Sequence, residues 1–173
     1  MSPLPVRAGP RPTTSVDMPH RQLDQQPASE RLRDAVAERV FALPGLMEAP
    51  SAVSVPGARA LVLTPASAAG PPEAFFAPGE FAHLHPATDQ SLHLSLPLRL
   101  AAEACRAGWA EPHPLVVAGE LPPTFVMVYA PRDEHELAVV VGLVEESYRF
   151  ATGAAEPLSG TNADGQQCSR YSR

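Results

Sequence analysis

The sequence predicts an α+β fold, a small antiparallel sheet of about four to five strands with helices packed on one face, and three observations point there. Apolar residues recur at the 3.6-residue period of a helix face in two segments, Leu32 to Leu43 and Leu137 to Ala151. The stretch SLHLSLP, residues 91–97, alternates strictly between leucine and polar side chains, the period of a half-buried strand. The segments run helix, three or four strands, helix, strand, helix, an order that suits a sheet and helices stacked in two layers. No P-loop or dinucleotide-binding glycine pattern occurs.

Taken in order, the first helix begins after Ser29, a good N-cap residue, and sets Leu32, Ala35, Val36, Val40 and Leu43 on one face before Pro44 and Gly45 stop it. AVSV and ARALVL flank Pro56-Gly57 and read as a strand pair about a turn. EAFFAPGEFAHLH continues extended, with an interruption at Pro78-Gly79, and SLHLSLP completes an antiparallel meander. Pro97 to Ala107 is a helix with proline at its first position and Gly108 just past its end; Ala101, Ala104 and Cys105 share a face, and Trp109 folds back on it. PTFVMVYAP is a continuous apolar run between prolines, hence a buried strand, which assigns Met127 and Tyr129 to packing. Asp133 and Glu136 have capping-box spacing ahead of Leu137, Val140, Val141, Val144, Tyr148 and Ala151, so the last helix should anchor the core.

A chain of 173 residues can bury one sizeable core, and its 21 prolines should collect outside it. Residues 1–28 mix Pro, Gln, Thr and Arg without periodicity and are expected to be a disordered N-terminal tail. Residues 29–154 form a single α+β domain, and residues 155–173 a flexible C-terminal tail. All thirteen basic residues are arginine, which excludes Schiff-base chemistry on a lysine amine. A net charge of −6 gives no basic stripe for a phosphate backbone, so nucleic acid is not an expected partner. With no apolar leader and no run of about 18 apolar residues, the expectation is a cytoplasmic protein without membrane association. Cys105 and Cys168 lie far apart and outside any CxxC spacing, and neither is expected to be functional.

The chemistry concentrates in EFAHLHPATDQSLHL, residues 80–94, which places three of the six histidines within eleven residues. Alternation puts Phe81, His83 and His85 on one face, against Ala82 and Leu84, and in the next strand puts Ser91, His93 and Ser95 opposite the leucines. If Pro86 to Gln90 is a five-residue hairpin loop, residues 85 and 91 pair and His83 falls opposite His93. His83, His85 and His93 on one patch could hold a divalent transition metal with an open position, or move protons near neutral pH without one. His113, stiffened between Pro112 and Pro114, is the fourth candidate, and Glu80 and Glu111 are the carboxylates in sequence reach to orient an imidazole or act as base. The Ser91 and Ser95 hydroxyls have no G-x-S-x-G elbow to make them nucleophiles. His135, in the first turn of the last helix, reads as a surface residue, and His20 as part of the tail.

GEFAHLHP, a strand ending in LP, AAEACRAGWAEPHPLV and PRDEHELAVVVGLVEESYRF, in that order, resemble the luciferase-domain family of small bacterial and fungal proteins over about residues 50–152. The resemblance implies functional roles for Glu80, His83, His85 and His113. His93 stands where many relatives carry an acidic residue, an exchange that keeps the ability to bind metal or move protons. The family name by itself assigns no reaction. The sequence thus leads to a small-molecule enzyme, of the kind found in specialised metabolism, whose histidine cluster performs acid/base or metal-assisted chemistry. The alternative is a non-catalytic module that binds a small molecule or a protein.

Overall fold

A computed structural model describes residues 3–154, and the C-terminal segment with Cys168 lies outside them. Helix α1, Arg31–Phe41, buries Leu32, Val36, Ala37 and Val40; Ser29 Oγ accepts the Arg31 N–H, although the cap position itself is Glu30. Gly45, at φ +70°, turns the chain into β1, Leu46–Pro50, which pairs antiparallel with β2, Arg59–Leu63. The partner of β2 is therefore the segment after Gly45 and not AVSV, whose residues form bends. AVSV is diverted because Glu80 holds the start of this loop: its carboxylate accepts from Ser51 Oγ at 2.6 Å and from the Ala52 amide at 2.9 Å.

Strand β3, Glu80–Leu84, and β4, Leu92–Ser95, follow a single 3₁₀ turn at Pro72–Ala74. Helix α2, Leu98–Arg106, starts after Pro97 and ends with Gly108 at φ +84°, and the Trp109 amide returns to the Ala104 carbonyl. Then come β5, Ala110–Pro112, the short helix α3, Pro114–Val117, strand β6, Phe125–Val128, and helix α4, Glu134–Ala151. The sheet is wholly antiparallel, in the order β1-β2-β3-β4-β6-β5. It has six strands where the sequence suggested four to five. The extra edge strand β5 is three residues long and ends in proline, too short to show a period and restricted to an edge because proline cannot donate to a ladder.

Helix α4 packs on β3 and β4 and on α1, and it is capped as expected, Asp133 Oδ1 accepting the Glu136 N–H at 2.8 Å. Glu136 does not close a reciprocal box: its carboxylate takes Arg7 and Arg132. Among the described residues no helix is long and apolar enough to cross a membrane. Residues 3–28, expected from their composition to be a disordered tail, carry almost no regular structure and are bonded along the β5–β6 end of the sheet. Trp109 Nε1 donates to the Pro5 carbonyl at 2.6 Å, the Arg7 amide to Ala107, and Arg11 to the Ala110 carbonyl. Gln22 accepts the Ala130 amide and donates its own amide to Asp89. These contacts are single, long-range hydrogen bonds that leave no hydrophobic period in the sequence.

Val144 is fully buried at the α4–sheet interface. Val144→Asp is expected to lower the unfolding free energy by about 4 kcal/mol, because an unpaired carboxylate enters the core. Chemical denaturation measures it; a loss below about 1 kcal/mol would remove this face from the core.

Candidate functional site

The site begins with strand register. His83 pairs with His93 across β3 and β4, and the His85 amide donates to Ser91 across a loop whose Gln90 has φ +62°. Alternation then aims His83, His85 and His93 at one side, as the sequence suggested. Phe81 departs from that pattern. Leu61 pairs with Ala82 and Val62 with Glu80, so Phe81 is the extra residue of a β-bulge. Its ring turns to Tyr148 of α4, with centroids 6.2 Å apart, while the Glu80 carboxylate swings onto the histidine side and meets His83 Nδ1 at 2.9 Å. Gly79 sets up the bulge: it has φ +76°, and a Cβ there would lie 2.5 Å from the Leu63 carbonyl oxygen.

The rings form a continuous chain. His83 Nε2 and His93 Nδ1 are 3.1 Å apart, His93 Nε2 and His20 Nδ1 are 3.1 Å apart, and His20 Nε2 meets Glu111 Oε1 at 2.7 Å. The other oxygen of Glu111 accepts from Tyr129 OH at 3.0 Å, so Tyr129 has a polar role as well as the packing expected of it. His85 Nδ1 is held by Asp89, which also accepts from Ser91 Oγ. His113 closes the group, its ring centroid 4.9 Å from that of His93, and its Nδ1 accepts the Leu115 N–H at the start of α3. His135 is exposed.

Burial governs the charge states. It pushes His83, His93 and His113 below the usual histidine value, aided by repulsion among the neighbouring rings. His93 falls well below and His113 to about 4, so these rings are neutral at pH 7. Burial alone would raise Glu80, Asp89 and Glu111, but hydrogen bonds outweigh it and hold all three below the ordinary carboxylate range. The donors are His83, Ser51 and Ala52 for Glu80, His85 and Ser91 for Asp89, and His20, Thr14 and Tyr129 for Glu111. The anionic carboxylates thus accept a ring N–H from His83 Nδ1, His85 Nδ1 and His20 Nε2, which fixes the orientation of each ring they touch.

A cavity of about 470 Å³ opens in front of the rings. His20, His83, His85, His93 and His113 line it, and apart from Ser54 the remainder is apolar, with Val53, Val55, Phe76, Leu115 and Leu121 among its residues. That combination, an apolar volume with a few convergent polar groups, is the usual form of a small-molecule site. Two triads, His83/His85/His93 and His20/His93/His113, have ligand nitrogens within 4.8 Å of one another, a spacing suited to a metal ion.

The structure brings Glu80, His83, His85, His93 and His113 together, and adds two groups that the sequence reading passed over. Asp89 lies in the hairpin loop four residues from His85, a spacing that could have been noticed. His20 reaches the site from a segment without periodicity and carried no signal in the sequence.

Residues 78–147 match the family described as Luciferase domain. The chain is 35% identical over 163 residues to a luciferase of Armillaria mellea, covering 86% of this chain and 61% of that protein. It is 32% identical over 166 residues to a luciferase of Neonothopanus nambi, covering 88% and 62%. The chain therefore spans about three fifths of the length of these relatives. They are fungal and give no support to a bacterial origin. No solved structure matches the chain.

The depressed histidines fix the sign of the pH dependence. In metal-free protein the unfolded chain binds protons at His83, His93 and His113 near pH 6.5, while the folded chain does not until about pH 4 for His113. Stability is then fully present above pH 6.5 and falls on acidification toward pH 4, where the depressed carboxylates add a loss of the same sign. Urea unfolding at pH 7.0 and 4.5 should show the drop, and His113→Gln should make it shallower. Stability that rises on acidification over this range would contradict these assignments.

Proposed function

The chain belongs to the luciferase-domain family across residues 78–147, and on that premise we propose that it is an enzyme acting on a small, largely apolar molecule held in the histidine-walled cavity. The observation that carries the reading is the meeting of five imidazoles on one side of an otherwise apolar volume. Ordinary strand histidines point to solvent, whereas His20, His83, His85, His93 and His113 are each no more than 6% exposed. Burying five rings is unfavourable unless their polarity is used, and each is tied to a carboxylate, a backbone amide or another ring.

The tautomers divide the work. His113 gives up the lone pair of Nδ1 to the Leu115 amide, so the neutral ring keeps its proton on Nε2 and can donate it. His85 donates Nδ1–H to Asp89 and leaves Nε2 without a hydrogen-bond partner among the described residues, so that atom is placed either to take a proton from a weakly acidic O–H or C–H group or, in its stead, to ligate a metal. The apolar side holds the body of the substrate in register with this wall. A metal at the same wall would supply Lewis-acid or redox chemistry to the same bound molecule. Light emission, which names the fungal relatives, is the narrow form of this reading; acid/base or metal-assisted turnover of a small molecule is the broad form.

The test uses a panel of apolar compounds bearing phenol, enol or thiol groups, with binding followed by calorimetry and turnover by loss of compound and by luminescence. Val55→Trp or Leu121→Trp, which fill the apolar side, should weaken binding of any hit at least tenfold. His85→Ala should lower turnover about 100-fold or more with the hit still bound. Binding unaffected by either tryptophan would place the ligand elsewhere, and binding without turnover of any hit would favour the non-catalytic module.

A further inference from the structure

Glu80, His83, His93, His20 and Glu111 are joined by four contacts of 2.7–3.1 Å. The carboxylates at the two ends can only accept, so His83 donates Nδ1–H to Glu80 and His20 donates Nε2–H to Glu111. The second nitrogens of these rings, His83 Nε2 and His20 Nδ1, face the two nitrogens of His93.

A third ring stands beside each of these two contacts. Beside the His93–His20 gap stands His113, whose Nδ1 is committed to the Leu115 amide and whose Nε2 carries a proton, so it offers no lone pair. Beside the His83–His93 gap stands His85, whose Nδ1–H goes to Asp89. Its Nε2 is buried with no hydrogen-bond partner among the described residues. With the His93 proton on the nitrogen that faces His20, His83 Nε2 and His93 Nδ1 stand 3.1 Å apart beside the unpartnered Nε2 of His85.

We infer that these three nitrogens form a binding site for one divalent transition-metal ion, with its open coordination position facing the cavity, and that His20 is a positioning residue for it. Two ligands of a tetrahedral ion with metal–nitrogen bonds of about 2.0–2.1 Å lie about 3.3 Å apart, close to the 3.1 Å between His83 and His93. One nitrogen from each ring of the triad already lies within 4.8 Å of the other two, so small ring rotations close it. Three imidazoles without thiolate or carboxylate ligands suit zinc, copper, nickel or ferrous iron and not magnesium or calcium. Each ligand has a carboxylate behind it: Glu80 behind His83, Asp89 behind His85, and Glu111 behind His93 through His20. Among the described residues the ion-pair partners of these three carboxylates are the histidines themselves. A dication on neutral rings offsets most of that buried negative charge. The chain His93–His20–Glu111 fixes the tautomer of the central ligand, which gives the N-terminal segment a function in the site.

This inference rests on the reading of the cavity as a small-molecule site, and its test separates the two. The full-length chain, purified without an affinity tag and stripped with a chelator, is titrated with Co²⁺ and Zn²⁺. Expected is one equivalent of either ion, with the visible absorption of low-coordinate Co²⁺. His85→Ala should abolish stoichiometric binding while circular dichroism stays native, and Asp89→Asn should weaken it if the alanine variant is unstable. His113→Gln should retain the ion, and His20→Gln should weaken it about 10–100-fold without changing the stoichiometry. Failure of the folded chain to bind either ion would overturn the inference, as would binding that survives His85→Ala but is lost in His113→Gln. Small-molecule binding in a chain that takes no metal would leave the proposed function standing and remove the metal site.

Discussion

The structure turns on the cost of burying imidazoles between two antiparallel strands. A ring nitrogen removed from water without a partner costs about 1–3 kcal/mol, so a wall of buried histidines persists only if its partners are built into the fold. Three features supply them. The β-bulge at Phe81 brings Glu80 to the histidine side, the five-residue loop places Asp89 under His85, and the edge strand β5 carries Glu111 to the far end of the chain of rings. A one-residue slip of β3 would turn His83 and His85 to the leucine side and part them from His93, so sheet register and site chemistry are one constraint.

The same constraint explains the N-terminal segment. The ring chain cannot end at His93, whose outer nitrogen would lack a partner; His20 caps it and passes the contact on to Glu111. The segment is held by bonds to backbone and to buried groups, not by an apolar stripe. Arg7 lies beneath Trp109 and Tyr129 and pairs with Glu136, and Gln22 bridges Ala130 and Asp89. The residues nearest the cavity are thereby tied to α4 and to the hairpin loop at once.

What was legible in the sequence follows from what periodicity can encode. The alternation of SLHLSLP and the length of PATDQ gave the pairing of His83 with His93, and the 3.6-residue stripes gave α1 and α4 with their buried faces. Phe81 was placed on the wrong face because a bulge adds a residue without leaving a mark in the pattern. AVSV has strand composition, but the Glu80 carboxylate bends it away from the sheet, a tertiary contact overriding local propensity. His20 could not be found, because a segment held by isolated hydrogen bonds has the composition of one that is not held at all.

The chemistry of the site depends on which nitrogen of each ring carries the proton, and ring ¹⁵N NMR of the metal-free chain at pH 7 reads that directly. The predicted result is neutral rings protonated at Nδ1 in His83 and at Nε2 in His93 and His113, with Nδ1 and Nε2 carrying the donated protons of His85 and His20 toward Asp89 and Glu111. A doubly protonated His83 or His93, sharing a proton across their 3.1 Å gap, would contradict it, as would a His113 protonated at Nδ1.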